Sequence, residues 1–264
     1  MNAALAAAAT LVATAFALST LDRWSRRRRP HDLAWAVSLG LFALGAGALW
    51  WSEAQGWSLA SFRVFYLAGA VLNVPWLALG TVYLLAGTAT GNRTRGWLVW
   101  LSGLATGVVL FSPTRADVAG REFPTGKDVF GVAPRVLAAA GSGVAALVII
   151  VGALWSAARV LRRQAPTVGG HRRSVVSPRR LALGNVLIAT GTLVLSASGV
   201  LAGRLGKDTA FAITLLVGIV VLFCGFLVAS ATPRPAAIGS TADGAVPDRA
   251  VPDDAPTEPL FADR

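Results

Sequence analysis

A few polar or helix-breaking residues stand inside segments of the chain that are otherwise apolar, and these residues are the best placed to bind a ligand. They are Tyr66, Asn73, Pro75, Asn185 and Thr192. A phenol, an amide and a hydroxyl each donate and accept hydrogen bonds. This chemistry suits the binding of a small neutral molecule rather than the breaking of a bond. We therefore take these five residues as a candidate polar site.

Pro75 predicts a bend in the segment 64–87. Proline has no N–H, so the carbonyl of Val71 loses its helical partner, and Asn73 is the nearest polar side chain. Residues seven apart fall on one helix face; here they are Tyr66, Asn73, Gly80 and Gly87. Two interpretations stay open. In the first, the stripe forms a ligand or ion site at a kinked helix. In the second, Asn73 forms a hydrogen bond to a neighbouring helix, and Pro75 only shapes the helix that contains it.

Catalytic residue types are scarce. Asp117, Glu122 and Asp128 lie in one loop and are the carboxylates that could work as acid and base on a lipid, but interleaved basic residues favour a solvated, salt-bridged loop. Ser142 stands between two glycines, yet a serine nucleophile needs a base, and no apolar span contains His, Lys or an acid. We expect Ser142 to be a packing residue and the protein not to be an enzyme.

Composition places the chain in a membrane. Of 264 residues, 55% are hydrophobic and 14% charged, against about 25% charged in soluble domains, and the mean hydropathy is +0.61. The net charge of +11 does not indicate nucleic-acid binding, because arginines cluster between apolar spans. The single Cys224 excludes a Cys-rich metal site. His31 and His171 lie in charged loops, which excludes a haem held by paired His in the bilayer. We expect no cofactor and no metal.

The predicted fold class is all-α, a polytopic transmembrane helix bundle with seven spans. The spans are 3–20, 33–51, 64–87, 97–111, 135–158, 181–203 and 210–230. The segments after the first, third and fifth spans hold five, two and seven arginines, against seven Lys or Arg in the opposite segments. The positive-inside rule then places the N-terminus outside and the C-terminus in the cytoplasm.

The first of these basic segments is the densest. Its consecutive arginines are Arg26, Arg27, Arg28 and Arg29. We expect these arginines to keep this segment on the cytoplasmic side of the membrane. The alternative is that they also bind an anionic lipid headgroup. Asp32, which opens the second span, is expected to be its N-cap.

Small residues recur every seven positions in the later spans, which predicts close helix packing. The fifth span has Ala138, Ala145 and Gly152, and the sixth and seventh have similar rows. Near-repeats such as GALW at two sites are short enough to arise by chance. The segment 232–264 is rich in Pro and acidic residues and is expected to be a disordered cytoplasmic tail.

Two stretches carry a family resemblance: RVFYLAGAVLNVPWLALG, which starts at Arg63, and LALGNVLIATGTLVLSASG, which starts at Leu181. With them the chain resembles uncharacterised seven-helix integral membrane proteins of Arg-rich, high-GC bacteria, over most of its length up to Ala231. The resemblance implies a multi-pass protein of the bacterial cytoplasmic membrane. It implies no activity, cofactor or catalytic residue.

Two functions follow from this pattern. The first is an uncoupled transporter or binder of a small neutral or lipidic molecule, because ion coupling normally needs titratable groups inside the membrane. The alternative is an accessory or scaffold subunit of a membrane complex, with a membrane protein partner on the small-residue faces.

Overall fold

The computed structural model describes residues 2–118, 124–162, 178–201 and 208–230. Within these residues the chain is helical, and its one β feature is an isolated bridge between Thr114 and Phe130. The helices are α1 (Asn2–Arg27), α2 (Pro30–Gln55), α3 (Leu59–Phe65), a π-helix (Tyr66–Leu72), α4 (Asn73–Phe111), α5 (Gly126–Val129), α6 (Val132–Arg162), α7 (Pro178–Leu201) and α8 (Asp208–Ser230). The predicted all-α class is confirmed for the described residues, while the predicted tail 232–264 lies outside them.

Five helical runs in the described residues are long and apolar enough to cross a membrane. They are Ala3–Arg27, Pro30–Gln55, Leu59–Phe111, Val132–Ser156 and Phe211–Val228. The run Leu59–Phe111 contains two of the predicted spans, and α7 contributes a shorter apolar stretch, Val186–Leu195. The chain therefore has the helices of a membrane protein.

The first two helices extend further than predicted and meet at a tight corner. α1 continues to Arg27 and α2 begins at Pro30, so two residues connect them. Arg28 takes a left-handed backbone conformation with φ of 51°, and its N–H donates to the carbonyl of Trp24 at 2.7 Å. Such a conformation is uncommon for a residue with a Cβ.

The expectation that Asp32 caps α2 is wrong. The N-cap is Arg29, which makes no side-chain cap bond, and Pro30 occupies the first helical position, where a proline sacrifices no hydrogen bond. Asp32 stands in the first turn instead. Its negative charge there interacts favourably with the helix dipole.

α4 reverses direction at Gly87. This residue has φ of 82° and ψ of 176° inside an otherwise helical run, a combination accessible in practice only to glycine. The hydroxyl of Tyr83 donates to Oδ1 of Asn92 at 2.9 Å, and the Tyr83 ring lies where a Cβ on Gly91 would stand. The predicted connecting loop after Gly87 is therefore helical, and a single residue makes the turn.

Pairwise helix packing closes a ring. In order, α1 packs on α2, α2 on α4, α4 on α6, α6 on α7, α7 on α8 and α8 on α1. Aromatic contacts support the junction of the two ends, since the ring centroid of Phe16 on α1 lies 4.8 Å from that of Phe226 on α8. The first and last helices thus share one core.

The small-residue rows pack within this ring, as predicted. On α6, Ala145 packs against Ala78 of α4, and a Cβ on Gly152 would lie 2.7 Å from the side chains of Thr81 and Leu85. On α7, a Cβ at Gly191 would lie 2.7 Å from the backbone nitrogen of Leu222 on α8. These glycines permit backbones to approach closely.

Candidate functional site

The segment that carries Tyr66, Asn73 and Pro75 is a helix interrupted by a π-helical stretch, Tyr66–Leu72. Between α3 and α4 the backbone adopts π-helical geometry, and the N–H of Asn73 donates to the carbonyl of Ala68, five residues back. Pro75 falls in the first turn of α4, and it has no N–H to donate to the π-helical stretch that precedes it. Single π turns within helices occur frequently at functional sites.

The carbonyl that accepts a hydrogen bond from another helix is that of Ala70, whereas the sequence predicted that the carbonyl of Val71 would lack its helical partner. Ser142 of α6 donates its hydroxyl to the Ala70 carbonyl at 2.5 Å. In an i→i+5 register, the residue facing this carbonyl is Pro75, which has no N–H to give. The π register therefore moves the unpaired group by one residue, and α6 supplies the donor. Ser142 has a hydrogen-bonding role in addition to the predicted packing role.

Asn73 connects the interrupted helix to α2. The hydroxyl of Ser38 lies 2.7 Å from Oδ1 of Asn73 and 3.0 Å from its backbone carbonyl. Both side chains are buried, so each depends on the other for hydrogen bonding. The sequence did not single out Ser38, because one serine in an apolar helix gives no signal of its partner.

Tyr66 and Asn73 have different neighbours, although seven residues separate them. The Tyr66 hydroxyl donates to the carbonyl of Pro134 at 3.5 Å, and its ring centroid lies 5.0 Å from that of Phe130. Asn73 and Gly80 instead face α2, where Ser38 and Trp35 meet them. A π-helix rotates less per residue than an α-helix, so the heptad rule that predicted one stripe through Tyr66 fails at the π segment.

Thr192 and Asn185 lie on α7, whose packing partners are α6 and α8. The Thr192 hydroxyl is buried and donates to the carbonyl of Ile188 within its own helix at 2.8 Å. The side chain of Asn185 lies outside the described part of the structure. The polar contacts to Asn73 and Ala70 thus come from α2 and α6.

A buried carboxylate, that of Asp32, lies in the first turn of α2. Asp32 is only 2% exposed, and its Oδ1 lies 3.8 Å from Nε of Arg23 and 3.8 Å from Nε2 of His31. Its Oδ2 has no hydrogen-bond partner among the described residues. The Arg23 guanidinium also lies 4.0 Å from the ring centroid of Phe226. The Arg23–Asp32 ion pair therefore links α1 to α2, and the contact of Arg23 with Phe226 links α1 to α8.

A second arginine fixes the far end of α4. Arg63 of α3 donates from Nη2 to the carbonyl of Ser112 at 3.0 Å, and Ser112 is the C-cap of α4. A cation at a helix C-terminus is stabilised by the free carbonyls and the dipole. This contact connects α3 to the C-terminal end of α4.

Of the three loop carboxylates, Asp128 makes a local hydrogen bond. Oδ2 of Asp128 accepts a bond from the Thr125 hydroxyl at 2.5 Å, as a turn residue does. Glu122 lies outside the described residues. Across the ranges that the structure describes, no group of three His, Cys, Asp or Glu side chains is arranged to hold a metal ion.

Comparison with known proteins finds no matching family model, no matching curated protein and no matching solved structure. The resemblance to seven-helix bacterial membrane proteins stays a prediction.

Proposed function

We propose that the chain crosses a bacterial cytoplasmic membrane seven times, with the N-terminus outside. The run Leu59–Phe111 supplies two crossings because it reverses at Gly87. At roughly 1.5 Å per residue, residues 59–86 extend about 42 Å and residues 88–111 about 36 Å, and both exceed a hydrocarbon core of about 30 Å. α1, α2, α6, α7 and α8 supply the other five.

Within this membrane, the protein is proposed to be a non-enzymatic transporter or binder of a small neutral or lipidic molecule. The observation that supports this function is the interrupted helix, in which the π segment places Asn73 and the Ala70 carbonyl against hydroxyls from two different helices. A π-helical stretch within a helix frequently marks a functional site, and this one lies near the middle of the proposed span 59–86. Irregular backbone at that depth is tolerated only where protein or a cavity surrounds it.

The chemistry of this segment favours an uncharged ligand. Residues 64–87 contain no Asp, Glu, Lys, Arg or His, so the groups available are the Asn73 amide, the hydroxyls of Ser38 and Ser142, and backbone carbonyls. In the structure these groups bond one another. A ligand would enter by exchanging its own hydrogen bonds for the Ser38–Asn73 bond, which costs little net free energy.

The test uses proteoliposomes and several defined probes. Urea and glycerol uptake is followed by stopped-flow light scattering, and a fluorescent phosphatidylcholine reports lipid transfer between leaflets. We expect at least one probe to move faster than in protein-free vesicles, and Asn73→Ala to lower that rate at least tenfold. Thr106→Val is the matched control, because the Thr106 hydroxyl donates within its own helix, to the carbonyl of Ser102. Rates equal to empty vesicles for all probes would reject transport.

The scaffold alternative has support from one surface. Gly96, Gly103 and Gly107 lie on the part of α4 that follows Gly87. A Cβ added at any of them would meet nothing within 4 Å. Small residues on an open helix face permit close contact with another helix. The predicted rows on α6 and α7, in contrast, are occupied by contacts within the chain. Native mass spectrometry that shows a retained protein subunit, lost in Gly103→Leu, would favour the scaffold.

A further inference from the structure

An apolar groove of about 570 Å³ runs between α1 and α2. Its lining includes Ala17, Leu18 and Leu21 from α1 and Leu33, Val37 and Gly40 from α2. Gly40 leaves part of the groove open, because a Cβ there would meet nothing within 4 Å. The volume falls in the range of about 300–1,000 Å³ typical of small-molecule sites. In a membrane this groove faces the acyl chains of lipids.

The groove ends at the arginine corner. Leu21 precedes Arg26 by five residues and Leu33 follows Arg29 by four, so the Cα atoms of these arginines stand about 6–8 Å beyond the groove along the helix axes. Arg26 is held by Asp22, whose two carboxylate oxygens accept from its Nε at 2.9 and 3.1 Å. Arg27, Arg28 and Arg29 are exposed.

The backbone conformation and a contact with an aromatic ring hold Arg28 at the corner between α1 and α2. Arg28 adopts a left-handed backbone conformation, and its guanidinium lies 4.8 Å from the ring centroid of Trp24. Glycine is the residue that fits this conformation at least cost, and an arginine stands there instead. Planar guanidiniums bind phosphate oxygens through two parallel hydrogen bonds. A dense basic corner beside an apolar groove matches the two parts of a phospholipid.

We propose that the α1–α2 groove and the corner Arg26–Arg29 bind one anionic phospholipid. An acyl chain occupies the groove over Gly40, and the phosphate contacts the exposed arginines. Free inorganic phosphate would satisfy the arginines but not the groove, so the lipid is the occupant that accounts for both. The proposal depends on membrane embedding and is independent of transport.

The experiment measures lipid retained by the full chain in mild detergent, by native mass spectrometry. Phosphatidylglycerol and phosphatidylcholine with identical acyl chains are added in equal amounts. We expect the wild-type protein to retain phosphatidylglycerol at least fivefold over phosphatidylcholine. Gly40→Leu fills the groove and should lower retention of both lipids about tenfold. Gly143→Leu is the control, because a Cβ at Gly143 also meets nothing within 4 Å and α6, which packs on α4 and α7, contributes no residue to the lining of the groove.

A charge variant tests the other half of the site. Arg28→Gln with Arg29→Gln should remove the preference for phosphatidylglycerol while retention of phosphatidylcholine is unchanged. Arg93→Gln with Arg95→Gln, a pair of exposed arginines on α4, should leave the preference intact. Equal retention in wild type, Gly40→Leu and the charge variant would overturn the proposal, as would a loss in Gly143→Leu equal to that in Gly40→Leu. If the wild-type protein retains the lipid but moves no probe faster than protein-free vesicles, the transport function alone would be rejected.

Discussion

The indole nitrogen of Trp76 lies 3.2 Å from the hydroxyl oxygen of Ser102, although a straight helix would separate these residues by about 39 Å. Leu98 packs against the same cluster as Trp76, one turn before Ser102. The two halves of α4 therefore run antiparallel, and Gly87 is the point of reversal. The apolar run Leu59–Phe111 thus consists of two helices of membrane-spanning length.

Gly87→Ala is expected to destabilise the fold by about 1–3 kcal/mol, because the backbone conformation at Gly87 is strained for any residue with a Cβ. The measurement is equilibrium unfolding in mixed micelles followed by tryptophan fluorescence. The control is Gly96→Ala, at an exposed helical glycine on the same helix, which should be neutral or stabilising by up to about 1 kcal/mol. Equal effects of the two substitutions would contradict the reversal at Gly87.

The topology can be tested by labelling single cysteines in a Cys224→Ser background. Thr90, three residues after the reversal, and Thr114, after the end of α4, are both exposed. If α4 crosses the membrane once after Gly87, Thr90→Cys and Thr114→Cys react with a membrane-impermeant maleimide from opposite sides of intact cells or vesicles. We expect Thr114→Cys to react from outside. Labelling of both from one side would rule out the crossing.

Ser142→Ala should destabilise the protein by about 1–3 kcal/mol, because the Ala70 carbonyl loses its hydroxyl donor. Pro75→Ala restores an N–H that can serve this carbonyl, so Ser142→Ala should cost less in that background. A double-mutant cycle from unfolding measurements gives the coupling. Additive effects would show that the proline and the serine act separately. Thr106→Val, which removes a hydroxyl bond within one helix, controls for general effects of hydroxyl loss.

The pair Arg23–Asp32 predicts an asymmetric response to substitution. Asp32→Asn leaves the Arg23 guanidinium, 20% exposed, without its counter-charge, and should cost about 3 kcal/mol of unfolding free energy. Replacing both partners by apolar residues, as Arg23→Met with Asp32→Leu, should recover most of that loss. Asp22→Asn is the matched control, because its partner Arg26 lies on the surface and surface pairs contribute about 0–1 kcal/mol.

Gly191→Ala should weaken the packing of α7 on α8 by about 1–3 kcal/mol. Its Cβ would lie 2.7 Å from the backbone nitrogen of Leu222 and 2.9 Å from the carbonyl of Gly218, and backbone atoms cannot rotate aside. Gly143→Ala on α6 has no neighbour within 4 Å and serves as the control. Wild-type stability in Gly191→Ala would show that the two helices are not in close contact.

The sequence by itself determined the class of the protein and much of its local chemistry. Apolar run length, the charge deficit and the arginine clusters are sums over neighbouring residues, so they can be counted without knowing any contact. The rows of small residues on α6 were also readable, because helix periodicity holds throughout that segment. The same periodicity failed at Tyr66, where the π-helix changes the rotation per residue.

Tertiary structure decided what each polar group meets. The carbonyl that Pro75 leaves open depends on the helical register, and its donor Ser142 lies 72 residues away from Ala70. The pairing of Asp32 depends on Arg23, whose guanidinium lies against the ring of Phe226 on α8. The reversal at Gly87 depends on one backbone angle and on contacts between its two arms. Each of these is a pairing between distant residues, and local composition carries no record of which partner a group will find.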